Sequence, residues 1–180
     1  MLLTDLPKYV NCDKIYNYSK GNLRFNFIHT NSKSIKNFSI FAFDNKKNIK
    51  NIYLKEAIKK GSVAILSNQY LKKIKLPQYI VKDLDKNINK LLYKLFPYKP
   101  VNSIGITGTN GKTSVTWYIS QICFKNQVPM KTYGTLGFFI NTKKQYDSIL
   151  TTPEYEILHQ SSFSRIKNLY NFVFEVSSHA

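Results

Sequence analysis

Residues 105–115 read GITGTNGKTSV, and this stretch limits the fold more than any other. It follows VNSIGIT (101–107), a short apolar run with strand character, and leads into Lys112–Phe124, which reads as a helix. A strand, a glycine-rich turn and a helix in that order are the setting of a phosphate-binding loop. Gly108 and Gly111 permit a tight turn and close approach to an anion. Backbone N–H groups at the start of the helix point at the bound phosphates, aided by the helix dipole. Lys112 is placed to neutralise β- and γ-phosphates, and the Thr113 hydroxyl to ligate Mg²⁺. Thr109, Asn110 and Ser114 complete the candidate phosphate contacts. The eight-residue form of such loops has glycine where Ile106 stands, with Gly105 one step earlier, so the match is to G-x-x-G-K-T. The bland alternative is a structural turn ahead of a helix.

Around this loop the chain alternates strand and helix signals. In the first half, SIFAF (39–43), SVAILS (62–67) and QYIVKD (78–83) read as strands. IYLKEAIKKG (52–61) reads as a helix with Ile52, Ala57 and Ile58 near one face and Gly61 as its stop. LDKNINKLLYKLF (84–96) has helical apolar spacing at Leu84, Ile88, Leu91, Leu92 and Leu95. FPYKP (96–100) reads as a linker, which sets a boundary between a domain of residues 1–98 and one of 99–180. In the second half MKTYGTLGFF (130–139) contains a strand with glycine breaks, 153–166 is a helix, and LYNFVFEV (169–176) is a strong strand. The fold class is α/β: a small N-terminal α/β domain, then the first part of a mainly parallel sheet covered by helices.

Composition removes several classes. A hydrophobic content of 43%, with 13 Tyr and 12 Phe, supports a packed core and argues against disorder. Cys12 and Cys123 lie far apart and form no C-x-x-C, as suits buried thiols in a reducing compartment. The N-terminus lacks a basic region followed by an apolar stretch, and no run approaches the ~18 apolar residues of a membrane span. A cytoplasmic protein without membrane insertion is expected. The formal charge of +17 invites a nucleic-acid reading, but it is carried by scattered lysines, with Arg only at Arg24 and Arg165. Readers of bases and phosphates use arginine forks, so no nucleic-acid partner is expected.

Taken with YGTLG (133–137), LTTPE (150–154) and FEVSSHA (174–180), the loop resembles that of the Mur ligases, most closely the members that add the third amino acid to the peptidoglycan precursor. HTNSKSIKNFSIFAF (29–43) is similar to the family's uridine-nucleotide-binding stretch, with Asn31, Ser32 and Lys33 where Asp-Ser-Arg is usual. The resemblance implies an ATP-dependent acid–amino acid ligase acting on UDP-N-acetylmuramoyl-L-Ala-D-Glu. A carboxylate is activated as an acyl phosphate and an incoming amino acid displaces phosphate. It implies ATP and Mg²⁺, Lys112 and Glu175 as catalytic groups, and Thr113 and Glu175 toward the metal. By the same resemblance Thr30, Ser32, Thr151, Thr152 and Ser177 are expected to face the substrate. Helix capping is the alternative for the threonines before Pro153, and Ser177 is a further cap candidate. Ser178 is a weaker substrate candidate, and His179 is read as water-mediated or structural. A monomer is expected. By the same resemblance the chain covers a first domain and the opening of a second, and is incomplete for turnover. A folylpolyglutamate-type ligase, or a module that binds ATP or a UDP-sugar without ligating, remain the alternatives.

Overall fold

A computed structural model describes residues 1–18, 21–44, 51–148 and 150–177. Ser178 and His179 lie outside the described residues. The chain divides into two compact units, Met1–Leu95 and Phe96–Ala180.

The first unit holds a five-stranded sheet of β1 (Lys14–Tyr16), β2 (Phe27–His29), β3 (Ser39–Phe43), β4 (Ser62–Ser67) and β5 (Gln78–Ile80). Their spatial order is β1-β5-β4-β3-β2. Only β1 runs antiparallel to its neighbour; the other pairs are parallel. Parallel strands buried on both faces read as continuous apolar runs, and this is why SIFAF and SVAILS are legible. On one face Phe41, Phe43 and Ile65 pack with Ile35 and with Leu54 and Ala57 of α1 (Asn51–Lys59). Ile40, Ala42, Ala64 and Leu66, pointing the other way, are also buried. Helix α2 (Leu84–Leu95) packs on β2 and buries Ile88, Leu91, Leu92 and Leu95. One expectation fails: Ile52 is 64% exposed, and the buried face of α1 is Leu54, Ala57 and the partly buried Ile58. That i, i+3, i+4 set is the stripe a surface helix presents to a core.

The second unit contains β6 (Ser103–Ile106), α3 (Lys112–Lys125), β7 (Met130–Gly134), β8 (Gly137–Ile140), β9 (Lys143–Tyr146), α4 (Tyr155–Ser162) and β10 (Asn171–Glu175). Sheet order is β6-β10-β7-β8-β9, with β10 parallel to both β6 and β7. The expected single strand over 130–139 is a hairpin. Gly134 pairs with Gly137 across the two-residue turn Thr135–Leu136. A further strand, β9, follows Asn141 and Thr142, which adopt φ 47° and 64°. Positive φ at both central residues suits a two-residue hairpin turn, and KKQY itself carries no apolar signal.

Helix α4 is shorter at both ends than the expected 153–166. Its C-terminus gives way where Phe163 turns extended and stacks on His159 at 3.8 Å. Ser164 then exchanges backbone hydrogen bonds with Tyr98 at 2.7 and 3.1 Å. His159 Nε2 lies 3.2 Å from the Phe96 carbonyl, and the Arg165 guanidinium sits over the Phe96 ring. Phe96–Tyr98 is therefore bound into the second unit and is not a free linker. Among the described residues no helix is long and apolar enough to cross a membrane.

Candidate functional site at the strand ends

The three parallel strands of the second unit end together. Glu175 at the end of β10 is in register with Ile106 of β6, and Phe174 with Tyr133 of β7. The loop after β6, the turn after β7 and the exit of β10 thus share the C-terminal edge of the sheet, where open α/β sheets take their ligands.

Within the loop Gly108 has φ 144° and Gly111 φ 79°. Gly111 is the N-cap of α3 in the left-handed region, a conformation that side chains with a Cβ resist. The first turn of α3 then presents free N–H groups at its N-terminus. Thr109, Asn110, Gly111 and Ser114 are exposed, and Gly108, Lys112 and Thr113 half-buried. Lys112 lies back across the loop, donating to the carbonyls of Gly108 at 2.6 Å and Thr109 at 3.3 Å.

Glu175 is 2% exposed. Its Oε2 accepts from Thr113 Oγ1 at 3.0 Å and from Thr135 Oγ1 at 3.0 Å. Its Oε1 accepts from the Thr135 backbone N–H at 2.8 Å. Gly134 allows this approach: a Cβ there would overlap the Glu175 carboxylate. Thr116 Oγ1, one turn along α3 from Thr113, is buried without a hydrogen-bond partner, and Thr116 lines a small crevice with Thr113, Gly134 and Glu175.

The threonines before Pro153 do not cap α4. The N-cap is Glu154, with no side-chain cap bond. Instead Thr152 Oγ1 accepts from the Ser177 backbone N–H at 2.8 Å, and lies 3.5 Å from the Glu175 carbonyl. Its hydroxyl is committed to the exit of β10. Thr151 Oγ1 lies 3.3 Å from Thr135 Oγ1. So Lys112, Thr113, Thr151, Thr152, Glu175 and Ser177 gather at one edge of the sheet. Thr30 and Ser32 belong to the other unit. Thr30 is exposed; Ser32 is buried and its hydroxyl donates to Glu56 Oε2 at 2.7 Å.

Sequence reasoning gave no role to Gly134, Thr135 or Thr116. Its one signal for the first two was YGTLG, quoted only as a landmark.

Residues 106–180 match the model of the Mur ligase middle domain. The UDP-N-acetylmuramoyl-L-alanyl-D-glutamate–2,6-diaminopimelate ligase of Alkaliphilus oremlandii (strain OhILAs) is 30% identical over 190 aligned residues, covering 100% of this chain and 37% of that protein. Residues 106–180 belong to the Mur ligase middle-domain family. The enzyme of the same name from Buchnera aphidicola subsp. Baizongia pistaciae (strain Bp) is 35% identical over 166 residues, covering 84% of this chain and 32% of that protein. The chain thus spans about a third of the length of these relatives. A MurF ligase from Thermotoga maritima, solved in complex with ADP, shares the fold with a TM-score of 0.51 at 19% identity, over 89% of this chain and 34% of that one.

The donor set suits Mg²⁺. Thr113 and Glu175 offer only oxygen, and Gly134 leaves room for the carboxylate to lie against the turn after β7. Among the described residues no group of three or more His, Cys, Asp and Glu forms a metal cage. Mg²⁺ is commonly held by one or two carboxylates together with phosphates and waters.

Proposed function

We propose that the Phe96–Ala180 unit binds Mg·ATP and that the Met1–Leu95 unit holds the uridine end of UDP-N-acetylmuramoyl-L-Ala-D-Glu. The whole protein would be an ATP-dependent ligase that adds the third amino acid of the peptidoglycan precursor. The observation that carries the reading is the Thr113–Glu175 contact beside the glycine-rich loop: a hydroxyl and a buried carboxylate at one end of the sheet.

The roles follow from chemistry. The N–H groups at the start of α3 and the Lys112 ammonium hold phosphates. Lys112 exchanges its bonds to the Gly108 and Thr109 carbonyls for phosphate oxygens. Thr113 and Glu175 hold the metal, which when bound offsets the charge of nucleotide and substrate carboxylate brought together. Thr151 and Ser177, at the same edge, meet the substrate's peptide carboxylate. Thr152, bonded to the Ser177 N–H, fixes that loop. In the other unit Thr30 is the exposed candidate for the nucleotide-sugar, and Ser32, held by Glu56, positions that stretch. The γ-phosphoryl passes to the substrate carboxylate, ADP departs, and the incoming amine displaces phosphate to form the amide. The reading carries a cytoplasmic location and a monomer.

Residues 1–180 by themselves are expected to bind and not to turn over, since they span about a third of the relatives. Isothermal titration with Mg·ADP tests the reading. Saturable binding that Lys112→Ala abolishes supports it; no binding, or binding indifferent to Lys112, refutes it.

A further inference from the structure

We propose that Thr135 is a positioning residue that aims the Glu175 carboxylate at the metal and links it to Thr151. The proposal rests on the reading of Glu175 as the metal-facing carboxylate.

Thr135 holds Glu175 twice. Its backbone N–H reaches Oε1 at 2.8 Å and its hydroxyl reaches Oε2 at 3.0 Å. Two donors from one residue fix both the position and the rotation of a carboxylate, where a single donor fixes only its distance. Thr135 is able to do this because it opens the two-residue turn between β7 and β8, immediately after the Gly134–Gly137 pair. Gly134, lacking a side chain, lets the carboxylate lie against the turn.

Thr135 is exposed, whereas Glu175 is 2% exposed. An exposed residue thus turns its hydroxyl onto a buried acid. The same hydroxyl lies 3.3 Å from Thr151 Oγ1. A hydroxyl carries one proton and two acceptor lone pairs. With the Thr135 proton directed to Glu175, the Thr151 proton goes to Thr135. This sets a chain Thr151 → Thr135 → Glu175 and orients the lone pairs of Thr151. A metal that draws on Glu175 Oε2 then alters the hydrogen bond offered to Thr151.

Partners that orient a metal ligand contribute ~10–100-fold to metal affinity when removed. The test uses Mn²⁺ with ADP, with free Mn²⁺ followed by electron paramagnetic resonance, on the 180-residue chain. Thr135→Val removes the hydroxyl and keeps the N–H. We expect it to weaken Mn²⁺ binding in the presence of ADP by about tenfold, while metal-free ADP affinity stays at the unsubstituted value. Thr135→Ser restores Mn²⁺ binding. A role in folding alone would move both affinities and lower the melting temperature. Unchanged Mn²⁺ affinity in Thr135→Val, or equal loss of metal-free ADP binding, overturns the proposal while the nucleotide reading stands. Failure of the unsubstituted chain to bind Mn·ADP overturns both.

Discussion

Thr113 Oγ1 donates to Glu175 Oε2 at 3.0 Å, joining the first turn of α3 to the end of β10 across 62 positions of sequence. Each residue is ordinary alone: a hydroxyl one step past a lysine, and an acid ending an apolar strand. Together they form an oxygen-only pair beside the helix N-terminus proposed to bind phosphate. Glu175→Gln keeps the shape and removes the charge. We expect Mg²⁺ to lose its effect on ADP binding, with at least a ~10-fold fall in metal affinity. Titration of ADP with and without Mg²⁺ checks this, and an undiminished Mg²⁺ effect refutes it.

Gly134 is required by the same carboxylate. A Cβ there overlaps Glu175, so Gly134→Ala must push the acid aside or open the β7–β10 pairing. Forcing atoms into a packed site costs about 1–3 kcal/mol. Urea unfolding should give a loss in that range, and metal affinity should fall with it. A stable Gly134→Ala chain with normal metal binding would contradict the geometry.

His29 gives the first unit a pH dependence. It is 2% exposed and neither ring nitrogen has a hydrogen-bond partner. Burial, with a smaller contribution from the Lys36 charge, lowers its pKa to about 4 from 6.5. The folded state thus resists protonation and the unfolded state accepts it. Stability is complete above pH 6.5 and falls as the pH drops from there toward 4. The linkage amounts to roughly 2 kcal/mol between pH 7 and pH 5. His29→Leu should remove this slope at little cost, since no hydrogen bond is lost. Denaturant melts at the two pH values decide, and an unchanged slope in His29→Leu would assign the effect elsewhere.

His159 anchors Phe96 in the second unit, through Nε2 to the Phe96 carbonyl and a stacked contact with Phe163. His159→Ala loses the stack, worth about 0.5–1.5 kcal/mol, and leaves a carbonyl short of a partner at about 1–3 kcal/mol. A loss of roughly 2–4 kcal/mol is expected on these terms. Limited proteolysis should then cut within residues 96–100 faster than in the unsubstituted chain. Resistance equal to the native chain's would argue against the anchor.

The sequence by itself determined the elements whose signals are local. SIFAF and SVAILS are strands because a sheet buried on both faces needs continuous apolar runs. The loop is legible because Gly108, Gly111, Lys112 and Thr113 are neighbours in the chain. It also marked Glu175 as a strand-end acid, although the ligand role proposed for it came only by family resemblance. Local signals misled where a distant partner decided. Thr152, for which capping was the alternative to a substrate role, is held by the Ser177 N–H and caps nothing on α4. Residues 163–166 read as helix but turn away to stack on His159 and pair with Tyr98. Ile52 fits a helical stripe yet points to solvent. Only the tertiary structure brought Thr113 and Thr135 to Glu175 and Thr151 to Thr135. Their positions depend on β10 inserting between β6 and β7, an order that no local periodicity encodes. Hydrogen bonds of about 3 Å between residues tens of positions apart exist only once the strands are paired, and the carboxylate's environment forms with them.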